Sequence, residues 1–153
     1  MISEPVFLDT NIFLRHLLND DSDKSLACFN LIQAIESGDQ IAWTTDLVLA
    51  EVVFVLSSKR TYNLRREEIR DRLLPLIHLR GLKISPKHLY DRIFELYTTL
   101  SIDYIDCYHA ALIEQRGEPT LYSYDTDFDD IPTLRRLEPP LPGQTRSRQT
   151  NDS

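Results

Sequence analysis

The sequence has no apolar run approaching the roughly 18 residues that a membrane span needs, and its first ten residues, MISEPVFLDT, lack the basic segment and small-residue cleavage site of a secretory signal. These absences exclude an integral membrane protein built on helices and predict a cytoplasmic chain. Cysteine is scarce as well. Cys28 and Cys107 form no CxxC pair and no clustered ligand spacing, so neither a disulfide framework nor a thiolate zinc site is expected, and both read as reduced core thiols. Excess positive charge is missing too, since the formal net charge is -7. An even distribution of that charge would argue against a polyanionic partner.

The distribution is uneven. Residues 59–92 hold ten basic side chains against four acidic ones, a local +6 that leaves -13 for the rest of the chain. Such asymmetry marks either a face that contacts a polyanion or a set of solvated Arg-rich helices. Arg60, Arg65 and Arg66 are the candidate RNA contacts in this stretch, and Tyr62 between them is the one aromatic placed to stack on a base.

At 153 residues the chain fits one domain. The run VFL at 6–8 reads as a short strand ending where NIFLRHLL begins a helix. A second helix is expected from 21–23 to Gly38, with Leu26, Phe29, Leu31, Ile32 and Ile35 inward, followed by a strand at IAWTT and a buried helix from Asp46, near its cap, to Ser58. Another helix should run from Arg66 towards Gly81, bent by Pro75. LKIS is a candidate strand, Ser85-Pro86 a helix start, Asp103 to Arg116 a further helix and TLYSYD a last strand. Residues 139–153 are too poor in apolar side chains to fold and read as a disordered tail after a domain at 1–138. Strands alternating with helices imply an α/β fold whose parallel sheet is covered on both faces, with function gathered outside the carboxyl ends of the strands.

Four acids stand out in that frame: Asp9 after VFL, Glu51 inside LVLAEVVFVL, Asp106 before CYHAAL and Asp125 after LYSY. Each has an ordinary reading, since Asp caps helices and opens turns. Glu51 is the hardest to explain so, because residues 47–56 contain no Lys or Arg and a buried carboxylate needs a partner. Two carboxylates about 4 Å apart repel by roughly 4 kcal/mol at an effective dielectric near 20, so a convergent set requires a cation or a shared proton. Oxygen-only ligands select a hard ion such as Mg²⁺ or Mn²⁺.

The ordered motifs FLDTNIFL, LAEVVFVL, DCYHAAL and YSYDTDF resemble the PIN domain, and their spacing is most similar to VapC-type toxins. That resemblance implies a short parallel sheet sandwiched between helices and Mg²⁺- or Mn²⁺-dependent cleavage of RNA. It implies Asp9 and Asp106 as principal metal ligands, with Glu51 and Asp125 completing the pocket. Asn11 would orient a carboxylate or a bound water, and Ser123 stands where the family usually has Thr. Asp103 and Asp127 are further candidates, the first also a helix cap and the second also part of a solvated turn. His109 reads as a hydrogen-bonded packing residue rather than a base. The resemblance also implies a homodimer and an antitoxin that places a basic side chain in the acidic pocket. A housekeeping RNA-processing nuclease of the same family, and a non-catalytic RNA- or protein-binding module with a structural metal, are the alternatives. An aspartyl-phosphate phosphatase is disfavoured because Asn11 replaces the second Asp its motif needs.

Overall fold

Pro5 and the turn at Asp9-Thr10-Asn11 leave room for only a short strand between them, and in the computed structural model, which describes residues 4–19 and 22–143, β1 is Val6–Phe7. Helix α1 (Thr10–Leu18) follows at once, because the Asp9 carboxylate accepts from the backbone N–H of Asn11 at 3.0 Å and of Ile12 at 3.3 Å. Helix α2 (Asp23–Ser37) is capped by Ser22 and stops at Gly38, whose φ of 84° suits a residue without a Cβ. The chain continues through β2 (Ala42–Trp43), α3 (Asp46–Ser57), α4 (Arg66–Ile77) and β3 (Leu82–Lys83). It then forms α5 (Leu89–Thr99), α6 (Tyr104–Arg116), β4 (Thr120–Tyr122), a 3₁₀ turn (Thr126–Asp130) and β5 (Arg135–Leu137).

The first three strands make one parallel sheet in the order β1-β2-β3, with Val6, Ala42 and Leu82 in one register row and Phe7, Trp43 and Lys83 in the next. Strands β4 and β5 pair parallel in a separate two-stranded sheet. Alternation sends Leu8, Ala42 and Leu82 into the core, where α3 (Leu49, Val52, Leu56), α4 (Ile69, Leu73, Ile77) and α5 (Tyr90, Ile93, Phe94) join them. The α/β architecture with a short parallel sheet is the one expected. Its helical cover differs in detail, since only one face is sealed: Phe7 and Trp43 on the other are 45% and 46% exposed.

Several local expectations are corrected. Helix α2 buries Ser25, Cys28, Ile32 and Ile35, a stripe one position round from the expected one, so Leu26 and Phe29 face solvent. Asp46 does lie near the cap of α3, as its first residue; the cap is Thr45, its hydroxyl accepting from the Val48 N–H. Residues 85–88 form a turn, and α5 starts only at Leu89. Pro75 lies in the last turn of α4, which runs two residues beyond it to Ile77. Strand β5 and the 3₁₀ turn were not foreseen, because RRL and TDFDD carry too little apolar pattern. Of the expected tail, 139–143 has no regular structure and 144–153 lies outside the described residues. Cys28 and Cys107 are both free and buried, as expected. Among the described residues, no helix is long and apolar enough to cross a membrane.

Arg66 fastens the α5–α6 junction. Its Nη1 donates to the carbonyls of Tyr97 (2.9 Å), Leu100 (3.3 Å) and Ile102 (2.6 Å), and the guanidinium lies 4.2 Å from the centre of the Tyr97 ring. Carbonyls at the end of α5 that lack helical partners are thereby satisfied by a cation. Arg66→Ala should lower the unfolding free energy by about 2–4 kcal/mol, given the weight of charge-assisted hydrogen bonds. Arg66→Lys should recover only part of it, because one ammonium cannot also stack on the ring. Urea denaturation followed by circular dichroism checks this, and a loss below about 0.5 kcal/mol, typical of a surface change, would contradict it.

Candidate active site

Two sets of acids emerge from the strand ends and the helices that follow them. The first begins with Asp9, directly beyond β1, whose Oδ1 is engaged as the α1 cap and whose carboxylate is exposed. Helix α3 supplies the second member. Leu49, Val52, Val53 and Leu56 point into the core, whereas Leu47 (78% exposed), Glu51 and Phe54 (71% exposed) share the outer stripe at i, i+4 and i+7. Glu51 is therefore not a buried charge, which corrects the reading drawn from its apolar neighbours. Its partner is the Thr10 hydroxyl, which donates to Oε2 at 2.7 Å and ties the start of α1 to the middle of α3.

The second set gathers at the start of α6. Burial pushes the Asp106 carboxyl above the ordinary range; Asp125, Asp103 and Asp127 add to the rise, and His109 opposes it. No Lys or Arg acts on this carboxyl. Asp125 is held in place from both sides: its N–H donates to Ser123 Oγ at 3.0 Å and its Oδ1 accepts from the Asp127 N–H at 2.9 Å. Ser123 in turn receives support from β5, through its own N–H to the Leu137 carbonyl (3.0 Å) and through Arg136 Nη1 to its carbonyl (2.9 Å). The strand that sequence patterning missed thus positions the fourth acid.

Asp103 occupies the cap position of α6 but makes no side-chain capping bond, so its carboxylate is not consumed by the helix. Asp127 gives its N–H to Asp125 and keeps an exposed carboxylate. Asn11 contributes its backbone N–H to Asp9. His109 is exposed and meets Tyr108 edge-on at 5.8 Å, in place of the hydrogen-bonded packing role expected of it. Among the basic candidates, Arg60 is exposed, Arg65 pairs with Glu68 at 2.9 Å, and Arg66 is committed to backbone carbonyls. Sequence reasoning passed over Thr10, although its place at the first helical position after Asp9 was the available signal. It also passed over the Tyr108 hydroxyl, which donates to Asp46 at 2.6 Å and pins α6 against the start of α3; that bond, with burial, pushes the phenol up to about 12.

Among the described residues, no group of three or more His, Cys, Asp or Glu side chains is drawn together closely enough to hold a metal ion. Thr10 links Glu51 to the helix that Asp9 caps, and Asp125, Asp103 and Asp127 act on Asp106. The donors are all carboxylate oxygens. That chemistry fits a hard divalent cation, which is commonly held by one or two carboxylates and otherwise by water and phosphate.

The PIN domain family model matches residues 6–134. Among solved structures, the chain is similar to the VapC20 toxin of Mycobacterium tuberculosis, described as cleaving the sarcin-ricin loop, at 15% identity over 82% of this chain and 93% of that one, with a TM-score of 0.35. It is also similar to VapBC2 of Rickettsia felis bound to promoter DNA, at 24% identity over 88% and 98% of the two chains, with a TM-score of 0.34. No curated protein sequence matches the chain.

The raised Asp106 carboxyl has a stability consequence of definite sign. A carboxyl that binds its proton more tightly when folded adds stability at low pH and loses that contribution as pH rises through its folded value. Asp106→Asn should therefore melt at a higher temperature than the parent at neutral pH with chelator present. The gap should close below about pH 3, where both states of the parent are protonated. Thermal melts at the two pH values measure this; a lower melting point for the variant at neutral pH would refute the repulsion.

Proposed function

The chain belongs to the PIN domain family, and on that premise we propose that it is a metal-dependent ribonuclease, the toxin of a VapC-type toxin-antitoxin pair. The observation that carries the reading is the withdrawal of Asp106 from solvent beside Asp125, Asp103 and Asp127, with His109 and no Lys or Arg acting against the rise. Carboxylates left in mutual repulsion, where capping would not require it, favour a cationic ligand. Asp9, Glu51, Asp106 and Asp125 would hold Mg²⁺ or Mn²⁺, with Asp9 and Asp106 as its principal ligands. When bound, such an ion makes water nucleophilic at neutral pH and offsets charge on the departing oxygen of a phosphodiester.

The protein's own groups prepare the site. Thr10 holds Glu51 at a fixed distance from the start of α1. Ser123 and the Asp127 N–H fix Asp125. Arg60 and the exposed part of Arg65 lie in the basic stretch and would steer the phosphate chain. An antitoxin that inserts a basic side chain among these acids would neutralise them in place of the metal, which accounts for inhibition by charge alone. Exposed Leu47 and Phe54 on either side of Glu51 favour a protein partner for the α3 face, in keeping with a homodimer.

Asp9→Asn, Glu51→Gln and Asp106→Asn should each reduce cleavage of structured RNAs by about 100-fold or more, since even supporting residues of metal sites commonly cost 10–100-fold. Chelator should abolish cleavage and Mn²⁺ or Mg²⁺ restore it. Gel analysis of RNA incubated with each purified protein is the measurement. Cleavage that survives chelation, or full activity in all three variants, would overturn the reading and leave a non-catalytic binding module. The absence of a short DNA-binding antitoxin in the neighbouring reading frame would instead favour a housekeeping RNA-processing nuclease.

A further inference from the structure

Parallel sheets are ordinarily covered on both faces, which makes the open face of β1-β2-β3 unusual. The residues on it are not polar. Phe7, Trp43 and Lys83 are register partners on adjacent strands and so form one row across the face. The two rings meet at 4.7 Å between centroids with an interplanar angle of 59°, and each keeps nearly half its surface in solvent. Lys83 is exposed, and its ammonium makes no hydrogen bond or ion pair within the described residues. Beside it, Trp43, Lys83, Ser85 and Lys87 line a shallow cleft of about 390 Å³. The Lys87 ammonium is already spent on the carbonyls of Leu79 and Leu82, so Lys83 carries the free charge of the row.

We propose that this row is a stacking platform for unpaired bases of RNA. The inference rests on the ribonuclease reading and names a surface that would hold its substrate. Aromatic faces accept any base, and an adjacent ammonium contacts the phosphate that follows it; that combination is how proteins hold single strands. A duplex cannot use it, because its bases are stacked on one another. The platform is also correctly placed. Asp9 is two residues beyond Phe7 on the same face of the strand direction, roughly 7 Å along the chain, so a base on the rings sets its backbone beside the first acid.

A second copy of the chain is a poorer occupant. Half of two aromatic side chains amounts to roughly 200 Å², far below the roughly 800 Å² per partner of a stable interface. The charge of the row also favours a polyanion.

Trp43 is the only tryptophan in the chain, so its emission reports on this row alone. The full chain is titrated in chelator with a short oligouridylate or oligoadenylate and with a duplex of equal length, following Trp43 emission and, in parallel, the anisotropy of labelled RNA. The single strands should quench Trp43 on binding and the duplex should not. Phe7→Ala should weaken single-strand binding about 5- to 100-fold, the range for loss of one base stack. Phe7→Tyr should bind like the parent, which separates stacking from any damage to the fold. Lys83→Gln should reduce the salt dependence by about one phosphate contact. RNA binding without a change in Trp43 emission, equal affinity of Phe7→Ala and parent, or emission that shifts with protein concentration alone would each overturn the proposal; the last would assign the row to a second copy. The two readings fail separately. Metal-dependent cleavage with a silent Trp43 sinks the platform and spares the nuclease, whereas quenching without cleavage does the reverse.

Discussion

A strand of two residues makes too few hydrogen bonds to persist unaided, so β1, β2 and β3 exist only because Leu8, Ala42 and Leu82 pack on the helices. That single apolar row is the constraint from which the rest follows. Strands this short turn into helix or loop almost as soon as they form, and the turn falls immediately outside their carboxyl ends. Asp9 therefore stands two residues past the end of β1 and caps the next element. The same economy leaves the opposite face with one row of side chains that the described residues cover only in part.

The acids are arranged around the same ends but are held by different means. Glu51 is placed by helical geometry and by one hydroxyl from α1. Asp125 is placed by a small local network of Ser123, Asp127 and the β5 backbone. Asp106 is placed by packing of α6, helped by the Tyr108–Asp46 bond to α3. Arg66 ties α4 to the α5–α6 junction, next to Asp103, and thus fixes where α6 begins. Charge removed from the surface and used in the core at Arg66 is as much part of the site's geometry as the acids themselves. A cation engaged with three carbonyls is a poor ligand for phosphate, which is why the basic stretch offers less to RNA than its count of side chains implies.

Much of this was legible in the sequence, and the misses share a physical origin. Strands and helices followed from Pro5, the Asp-Thr-Asn turn, Gly38 and Gly117 and from apolar spacing, because these act locally. The acids were found because charged residues sit at the ends of apolar segments. What failed were inferences about direction. A helix window as uniformly apolar as residues 47–56 has no polar side to reveal which stripe faces out, so Glu51 was taken as buried when it lies on the exposed one. Leu26 and Phe29 went astray by a rotation of one residue in α2. β5 was invisible because Arg-Arg-Leu acquires its strand form from pairing with β4, a tertiary effect that outweighs local propensity.

The exposure of Glu51 changes the electrostatic problem rather than removing it. A buried carboxylate would need its partner at all times, whereas an exposed one is solvated and can wait. The same holds for Asp9 and for Asp127, both open to water. Asp106 is withdrawn enough for burial and its acidic neighbours to raise its proton affinity, so its charge is costly. Affinity for a cation is gained where that cost is relieved, and orientation is gained where the acids are already fixed by hydrogen bonds. Asp106 supplies the first and Asp125 and Glu51 the second. The hydrophobic residues that flank Glu51 then have a separate part: Leu47 and Phe54 make the outer face of α3 sticky for protein, while Phe7 and Trp43 make the open sheet face sticky for bases. Two apolar surfaces of different shape, one a helical stripe of Leu47 and Phe54, one a flat aromatic pair beside a lysine, need not compete for the same partner.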